Sequence, residues 1–267
     1  MEIKSLDQFA SLIESLNSNK KDVFFYRGCG NHKYELLPSL YRHKEKKTIQ
    51  EVIKLEQKIL DRFKHRSIPY LSQPVLNEAD WQYLFLMQHY GVPTRLLDWS
   101  ENPYIALFFA LTLADYNYNK KKYKSDASFW ILNATQWNKK VIDKDTYDGE
   151  ILTHSNILLK GYSPMIACEQ LNKNPVAIYG EYNSQRIVAQ RGAFTIFGSD
   201  LSPMEKVKRK EKFPNDILSK YLIKKDFIPE LLNSLLVIGF TDSVIFPDLE
   251  GLSKEIKRLY KFEVGYV

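Results

Sequence analysis

Residues 79–113, ADWQYLFLMQHYGVPTRLLDWSENPYIALFFALTL, carry the strongest structural signal in this sequence. Apolar residues recur at helical spacing on both sides of a short polar connection. The first helical pattern covers residues 78–90 and ends at Gly91, a residue typical of helix C-termini. Asn102 followed by Pro103 is typical of the cap and first turn of a new helix. The sequence therefore predicts two helices joined by a tightly specified loop.

The polar connection carries three chemically able side chains, His89, Arg95 and Asp98. An imidazole, a guanidinium and a carboxylate each cost several kcal/mol to desolvate unless they find partners, so a core seldom contains all three. We therefore expect a site here, with His89 and Asp98 as catalytic groups and Arg95 as a ligand contact. The alternative is structural: Arg95 and Asp98 pair with each other to hold the turn, and His89 is a satisfied structural histidine.

An early strand precedes this stretch, because residues 22–26 are dense in β-favouring residues. Arg27 and Gly28 then lie at the end of that strand. A planar guanidinium followed by a glycine that permits close backbone approach suits a phosphate or carboxylate ligand. A structural salt bridge of Arg27 is the alternative.

Together with these elements, the remaining patterns predict an α+β protein with a mixed sheet flanked by helices. Helices are predicted at 5–16, 49–66, 227–238 and 250–262, strands at 128–132, 176–179, 194–197 and 244–246, and a helical turn at 184–190. The length of 267 residues fits one domain over residues 1–267, with the helical segment 49–118 as a subdomain or insertion.

Two later segments offer further site residues. Arg186 and Gln190 are four positions apart, so one helical turn presents both on one face, where they suit ligand binding. Glu250 is a catalytic candidate in a late acidic pair with Asp248. Asp248 also suits the N-terminal cap of the helix that follows.

Composition restricts the partners. The net charge of +6 is concentrated in basic runs at 120–124 and 206–212, which favour solvated faces, with nucleic-acid contact as the alternative. Two cysteines give neither a disulfide framework nor zinc spacing, so no metal site is predicted. We find neither a signal-peptide pattern nor an apolar run of membrane-spanning length, which predicts a cytoplasmic protein with no membrane partner.

Four motifs together resemble the FRG family, named for an aromatic-Arg-Gly motif: FFYRG (24–28), the 79–113 stretch, QRGAF (190–194) and IFPDLEGL (245–252). They follow the family's order and span most of the chain, which implies a single FRG-type domain. The first motif also resembles that of the arginine-type ADP-ribosyltransferases, whose arginine contacts NAD. FTIFGS (194–199) is a loose counterpart of their serine motif. Their Glu-x-Glu or Gln-x-Glu turn is missing, so Glu181 or Glu250 would have to supply the carboxylate.

The resemblance implies an ADP-ribosyltransferase-like fold and an enzyme directed at NAD or another nucleotide, either a transferase or a glycohydrolase. NAD is then a substrate, and the cofactor is left open. Two alternatives remain: a non-catalytic module that binds a nucleotide or anion through its arginines, and a nuclease in which His89 transfers protons. The sequence contains no P-loop, no Gly-x-Gly-x-x-Gly and no His-Glu-x-x-His, so the common nucleotide triphosphatase, Rossmann and zinc-protease classes lack support.

Overall fold

The structure is a computed structural model that describes residues 2–16, 21–71, 80–142, 147–181, 185–262 and 264. A six-stranded sheet with helices on both faces forms its centre, so the predicted α+β class is confirmed. None of the helices in these ranges is long and apolar enough to cross a membrane.

The elements are numbered in chain order. The helices are α1 Leu6–Leu16, α2 Ile49–Ser67, α3 Asp80–His89, α4 Pro103–Thr112, α5 Ala134–Ile142, α6 Gln185–Gln190, α7 Met204–Lys210, α8 Ile228–Val237, α9 Asp242–Ile245 and α10 Leu249–Leu259. The strands are β1 Phe24–Cys29, β2 Leu96–Ser100, β3 Tyr116–Asn117, β4 Lys122–Tyr123, β5 Ala127–Asn133, β6 Val176–Tyr179, β7 Gly192–Ile196 and β8 Leu218–Ile223.

The sheet has the strand order β6-β7-β2-β1-β5-β8, and each of its five pairings is antiparallel. β1 pairs with β5 along all six of its residues, from Phe24 to Cys29. Its register with β2 is a single pair, Tyr26 with Ser100. The two central strands therefore separate beyond that pair, which leaves an opening inside the sheet.

Helices cover the two faces unequally. α1, α4 and α8 cover β1 and β5 on the first face, where Phe9, Phe108 and Phe129 are fully buried. α3 covers β2, β7 and β6 on the same face through Leu84 and Phe85. α2, α5 and α7 cover the second face. The opening between β1 and β2 thus lies under the gap between α3 and α4.

Residues at the helix ends explain where several of the helices begin or end. A capping box of Thr48 and Glu51 begins α2, and the Asn102 side chain accepts hydrogen bonds from the first amides of α4. Gly91, with φ of +73°, follows α3 in the left-handed conformation. Residues 78, 79 and 184, at the predicted starts of α3 and α6, lie outside the described residues.

Two predicted elements are wrong. Residues 96–100, expected within a loop, form the central strand β2, because their pairing with β1 and β7 is non-local and leaves no trace in local propensity. Residues 244–246, expected as a strand, include the end of the short helix α9. Ile245 and Phe246 fill the core beside α4 instead of joining the sheet. Five further described elements, α5, α7, β3, β4 and β8, were not predicted.

The prediction of one domain over residues 1–267, with 49–118 as a subdomain, stays a prediction. Within that segment, β2 lies in the central sheet and α4 lies in the main core.

Candidate functional site

A pocket with a volume of about 250 Å³ lies where β1 and β2 separate, between α3, α4 and α6. Its polar lining comes from four different elements: Arg27, Gln88, His89, Asp98, Arg186 and Gln190. Its apolar lining is largely aromatic and includes Tyr26, Phe85, Trp99, Phe109, Ile187 and Phe194. A pocket with an aromatic wall and several converging polar groups has the composition of a small-molecule site.

Six of the eight predicted site residues line this pocket, namely Arg27, Gly28, His89, Asp98, Arg186 and Gln190. Arg95 and Glu250 do not. The six come from β1, α3, β2 and α6, which the antiparallel sheet brings together although they are up to 163 positions apart, from Arg27 to Gln190. Their roles in binding or catalysis stay predictions.

Arg27 is the fourth residue of β1 and not its end, which corrects the predicted placement. Its NH1 donates to the main-chain oxygen of Asp98 and lies 3.9 Å from the Asp98 Oδ2 atom. The Arg27 side chain is about a quarter exposed, and its Nε and NH2 donate to no residue within the described ranges. The guanidinium therefore joins the two strands where their pairing ends and keeps donors for a ligand.

Asp98 presents its carboxylate in a fixed orientation. The Gln88 Nε2 atom donates to Asp98 Oδ2 at 2.8 Å, and the Gln88 Oε1 atom accepts from the Thr94 hydroxyl. These bonds run from the loop after α3 to the middle of β2. No sequence signal pointed to Gln88, because an amide in the last turn of a helix has no evident role until β2 is known to lie opposite it.

His89 lies half-buried in the last turn of α3, with its ring centroid 4.8 Å from that of Tyr90. Burial lowers the pKa of His89, the Arg186 charge lowers it further, and the Asp248 charge opposes them. The dipole at the C-terminal end of α3 by itself favours the protonated imidazole. Desolvation and a nearby cation outweigh that effect, so the imidazole at neutral pH is the neutral form that can accept a proton.

Arg186 and Gln190 lie one turn apart on α6 and both line the pocket, as their spacing predicted. The Arg186 guanidinium lies 4.7 Å from the centroid of the Phe246 ring, and Gln190 Nε2 donates to the Ile245 main-chain oxygen at 3.2 Å. No carboxylate within the described residues lies at salt-bridge distance from Arg186. Its charge is therefore oriented by an aromatic face but not neutralised.

Arg95 is placed differently from the prediction. Its side chain is fully buried, with Nε 2.7 Å from Glu56 Oε2, itself fully buried. NH2 donates to the main-chain oxygens of Tyr162 and Ser163 at 2.7 and 2.9 Å, and NH1 donates to that of Phe197 at 3.3 Å. All its nitrogens are used inside the protein, so Arg95 acts as a structural residue and not as a ligand contact.

Glu250 also lies outside the pocket. It is exposed on α10, and its Oε1 lies 2.6 Å from Lys254 Nζ. Asp248 caps α10, since its carboxylate accepts from the Gly251 amide at 2.8 Å. The late acidic pair therefore begins a helix, which confirms the capping interpretation of Asp248.

Gly28 lines the pocket, but its lack of a side chain has a packing cause. A Cβ at Gly28 would lie 1.9 Å from the main-chain oxygen of Ala106 and 2.4 Å from the Ala110 nitrogen. The close approach that Gly28 permits is therefore that of α4, where a ligand had been expected.

The loose counterparts of the transferase motifs also lie elsewhere. The Thr195 hydroxyl accepts from the Trp99 indole at 3.1 Å in the core. Glu181 lies 3.4 Å from the His154 Nε2 atom. Among the described residues, Asp98 is thus the carboxylate that lines the pocket, together with Arg27 and Arg186. The same residues contain no group of three or more His, Cys, Asp or Glu side chains arranged to hold a metal ion.

Comparison with known proteins bears on one part of the chain. Residues 22–120 match the family model of the FRG domain. No curated protein and no solved structure matches the chain, so an ADP-ribosyltransferase-like fold stays a prediction. The matched range contains β1, β2, α3 and α4, while Arg186 and Gln190 fall beyond it. The FRG resemblance is therefore confirmed over residues 22–120, which include the β1 and β2 walls of the pocket.

Proposed function

We propose that the pocket binds a nucleotide and that NAD is its substrate, with Asp98 as the group that assists cleavage of the nicotinamide–ribose bond. The main support for the proposal is that two arginines, Arg27 and Arg186, line the same pocket as an aromatic wall. Arginine suits the oxygens of a phosphate, and a flat apolar wall suits a planar ring.

The size of the pocket supports half of a dinucleotide. A volume of about 250 Å³ is slightly below the ~300–1,000 Å³ that holds a drug-sized ligand. The nicotinamide riboside part would then pack against Phe85, Phe109 and Phe194, and the diphosphate would lie near Arg27 and Arg186. The remainder of the dinucleotide would extend out of the mouth of the pocket.

The chemistry follows from the charges. When the bond between nicotinamide and ribose breaks, its electron pair leaves with nicotinamide and positive charge develops on the ribose. A carboxylate held by Gln88 stabilises that charge, provided that Asp98 lies beside the sugar. Water or an acceptor then attacks the sugar carbon, and neutral His89 can take the proton that is released.

A second candidate function is a non-catalytic nucleotide-binding module. It is favoured by the contacts of Asp98, whose carboxylate lies close to both Gln88 and Arg27. A carboxylate near an arginine stabilises a cationic sugar less well than a free one does. The two candidates share the ligand and differ in turnover.

Calorimetry with NAD and chromatographic measurement of nicotinamide release separate them. We expect Arg27→Lys to weaken NAD binding at least tenfold, because a point charge cannot replace a bidentate fork. Arg191→Lys is the matched control, since Arg191 is exposed at the end of α6 and does not line the pocket. Asp98→Asn should bind NAD within about threefold of the parent and lose nicotinamide release by about 10² or more.

These experiments distinguish the candidate functions. If NAD binds but no nicotinamide is released, even with protein or nucleic-acid acceptors present, the protein is a non-catalytic binding module. Absence of binding at millimolar NAD would reject NAD as the ligand. Cleavage of a polynucleotide that depends on His89 would instead support a nuclease.

A further inference from the structure

A second concave surface lies on the opposite face of the sheet from the pocket and shares none of its lining residues. It is a groove of about 570 Å³ between α7 and the strands β5 and β8. Its lining contains four cations and one carboxylate within the described residues: Lys208, Arg209, Lys212, Lys220 and Glu205. The groove contains most of the basic run 206–212, for which the pocket offers no role.

Contacts within the protein fix the positions of two cationic side chains of the groove. The Lys208 ammonium donates to the main-chain oxygens of Asn215 and Leu218 at 3.0 and 2.9 Å. Lys220 on β8 stands opposite Trp130 on β5, and its ammonium lies 4.9 Å from the centroid of the indole ring. Packing and main-chain contacts therefore hold two of the cations in place before any ligand arrives.

Trp130 supplies an independent sign of a ligand. The residue lines the groove, is only 4% exposed, and its indole nitrogen has no hydrogen-bond acceptor among the described residues. A buried donor without a partner costs about 1–3 kcal/mol, so such groups are rare unless something binds them. An acceptor in this groove would also meet positive charge.

The exposed side chains complete the pattern. Arg209 and Lys212 project into the groove lining, and neither lies at salt-bridge distance from a carboxylate in the described parts of the chain. By contrast, Lys206 and Lys210 of the same helix pair with Glu35 and Asp200 outside the groove. The unneutralised charges are thus the ones that face the concave surface.

We propose that this groove binds the phosphate groups of a polyanionic ligand, with Arg209 and Lys212 as charged contacts. The Trp130 nitrogen is itself buried, so the indole becomes a hydrogen-bond donor to the ligand only when the ring shifts towards the groove. Trp130 is too deeply buried to stack on a base, so recognition is of phosphate and independent of base sequence. The site is separate from the nucleotide pocket, and its test does not depend on the proposed reaction.

Fluorescence anisotropy with a labelled oligothymidylate, with tripolyphosphate as competitor, tests the proposal. We expect the double change Arg209→Gln with Lys212→Gln to weaken binding at least tenfold. The slope of log affinity against log salt should fall by about 1.4, because each lost phosphate contact of a single strand contributes about 0.7. If tripolyphosphate displaces the oligothymidylate, phosphate groups alone are sufficient for binding to the groove. If it does not, the groove recognises phosphates as part of a nucleic-acid backbone.

The chain provides a matched control. Lys120→Gln with Lys121→Gln removes the same charge from the other basic run, and Lys121 shares with Lys212 an exposed position at positive φ, 47° against 53°. This control should bind within twofold of the parent. Equal weakening by both double changes, or no saturable binding by the parent, would overturn the proposal.

The indole hydrogen gives a direct readout. In a ¹H–¹⁵N spectrum, the Trp130 signal is assigned by its disappearance in Trp130→Phe, and it should shift on saturation with tripolyphosphate. A signal that does not move would overturn the role of Trp130. An Arg27→Ala variant should retain the oligonucleotide affinity, and loss of that affinity would mean that the ligand occupies the pocket instead.

Discussion

Replacing Arg95 by Met removes the cation from a buried pair while keeping most of its volume. The change leaves Glu56 without its partner and frees the main-chain oxygens that NH1 and NH2 now bind. Removing one member of a buried ion pair costs about 3–5 kcal/mol. With about 2–4 °C per kcal/mol for a chain of this size, the melting temperature should fall by roughly 6–20 °C.

A double variant provides the decisive comparison. Glu56→Leu combined with Arg95→Met removes both charges, so neither is left buried alone. Because a paired apolar replacement of a buried ion pair is often neutral, the double variant should be more stable than Arg95→Met by about 1 kcal/mol or more. Burial already raises the pKa of Glu56, and loss of the Arg95 charge would raise it further. The single variant should therefore lose stability as pH rises from 5 to 7, because its folded state then holds a proton that the unfolded state releases.

Urea denaturation of the parent and both variants at pH 5 and 7 measures these differences, and calorimetry with NAD well below the melting temperature measures the ligand affinity. We expect folded Arg95→Met to bind as the parent does. A single variant that keeps the parent's stability but loses ligand binding would refute the structural role of Arg95. A double variant less stable than Arg95→Met would refute the account of the buried charge.

Three further predictions concern the pocket and its neighbours. Gly28→Ala should destabilise the fold by about 1–3 kcal/mol, because its Cβ would approach the α4 backbone to 1.9 Å. Gly192→Ala is the control: the nearest atom to its Cβ would lie at 3.3 Å, so it should lower the stability less in the same thermal melts. Burial and the Arg186 charge lower the pKa of His89, so the imidazole is protonated at a higher pH in the unfolded chain than in the folded one. The free energy of unfolding should therefore fall as the pH drops below about 6.5. His89→Gln should flatten this part of a series of denaturation curves measured at different pH. Asp248→Ala should cost about 1 kcal/mol in chemical denaturation and leave ligand affinity unchanged, because its carboxylate caps α10.

Features that depend on neighbouring residues could be predicted without the structure. The Asn102 cap of α4, the glycine after α3 and the Asp248 cap of α10 were predicted correctly, because each is satisfied within about four positions of the chain. The shared face of Arg186 and Gln190 follows in the same way from the helical repeat.

Which charged residues meet depends on contacts between distant parts of the chain. Arg27 and Arg95 are both arginines in FRG-like segments, yet one lines a pocket and the other is buried against Glu56, 39 positions away. The strand β2 exists because β1 and β7 supply its hydrogen bonds, and Gln88 acquires a role when that strand brings Asp98 opposite it. Such pairings depend on loop closure and burial across the whole chain, which local propensity does not encode.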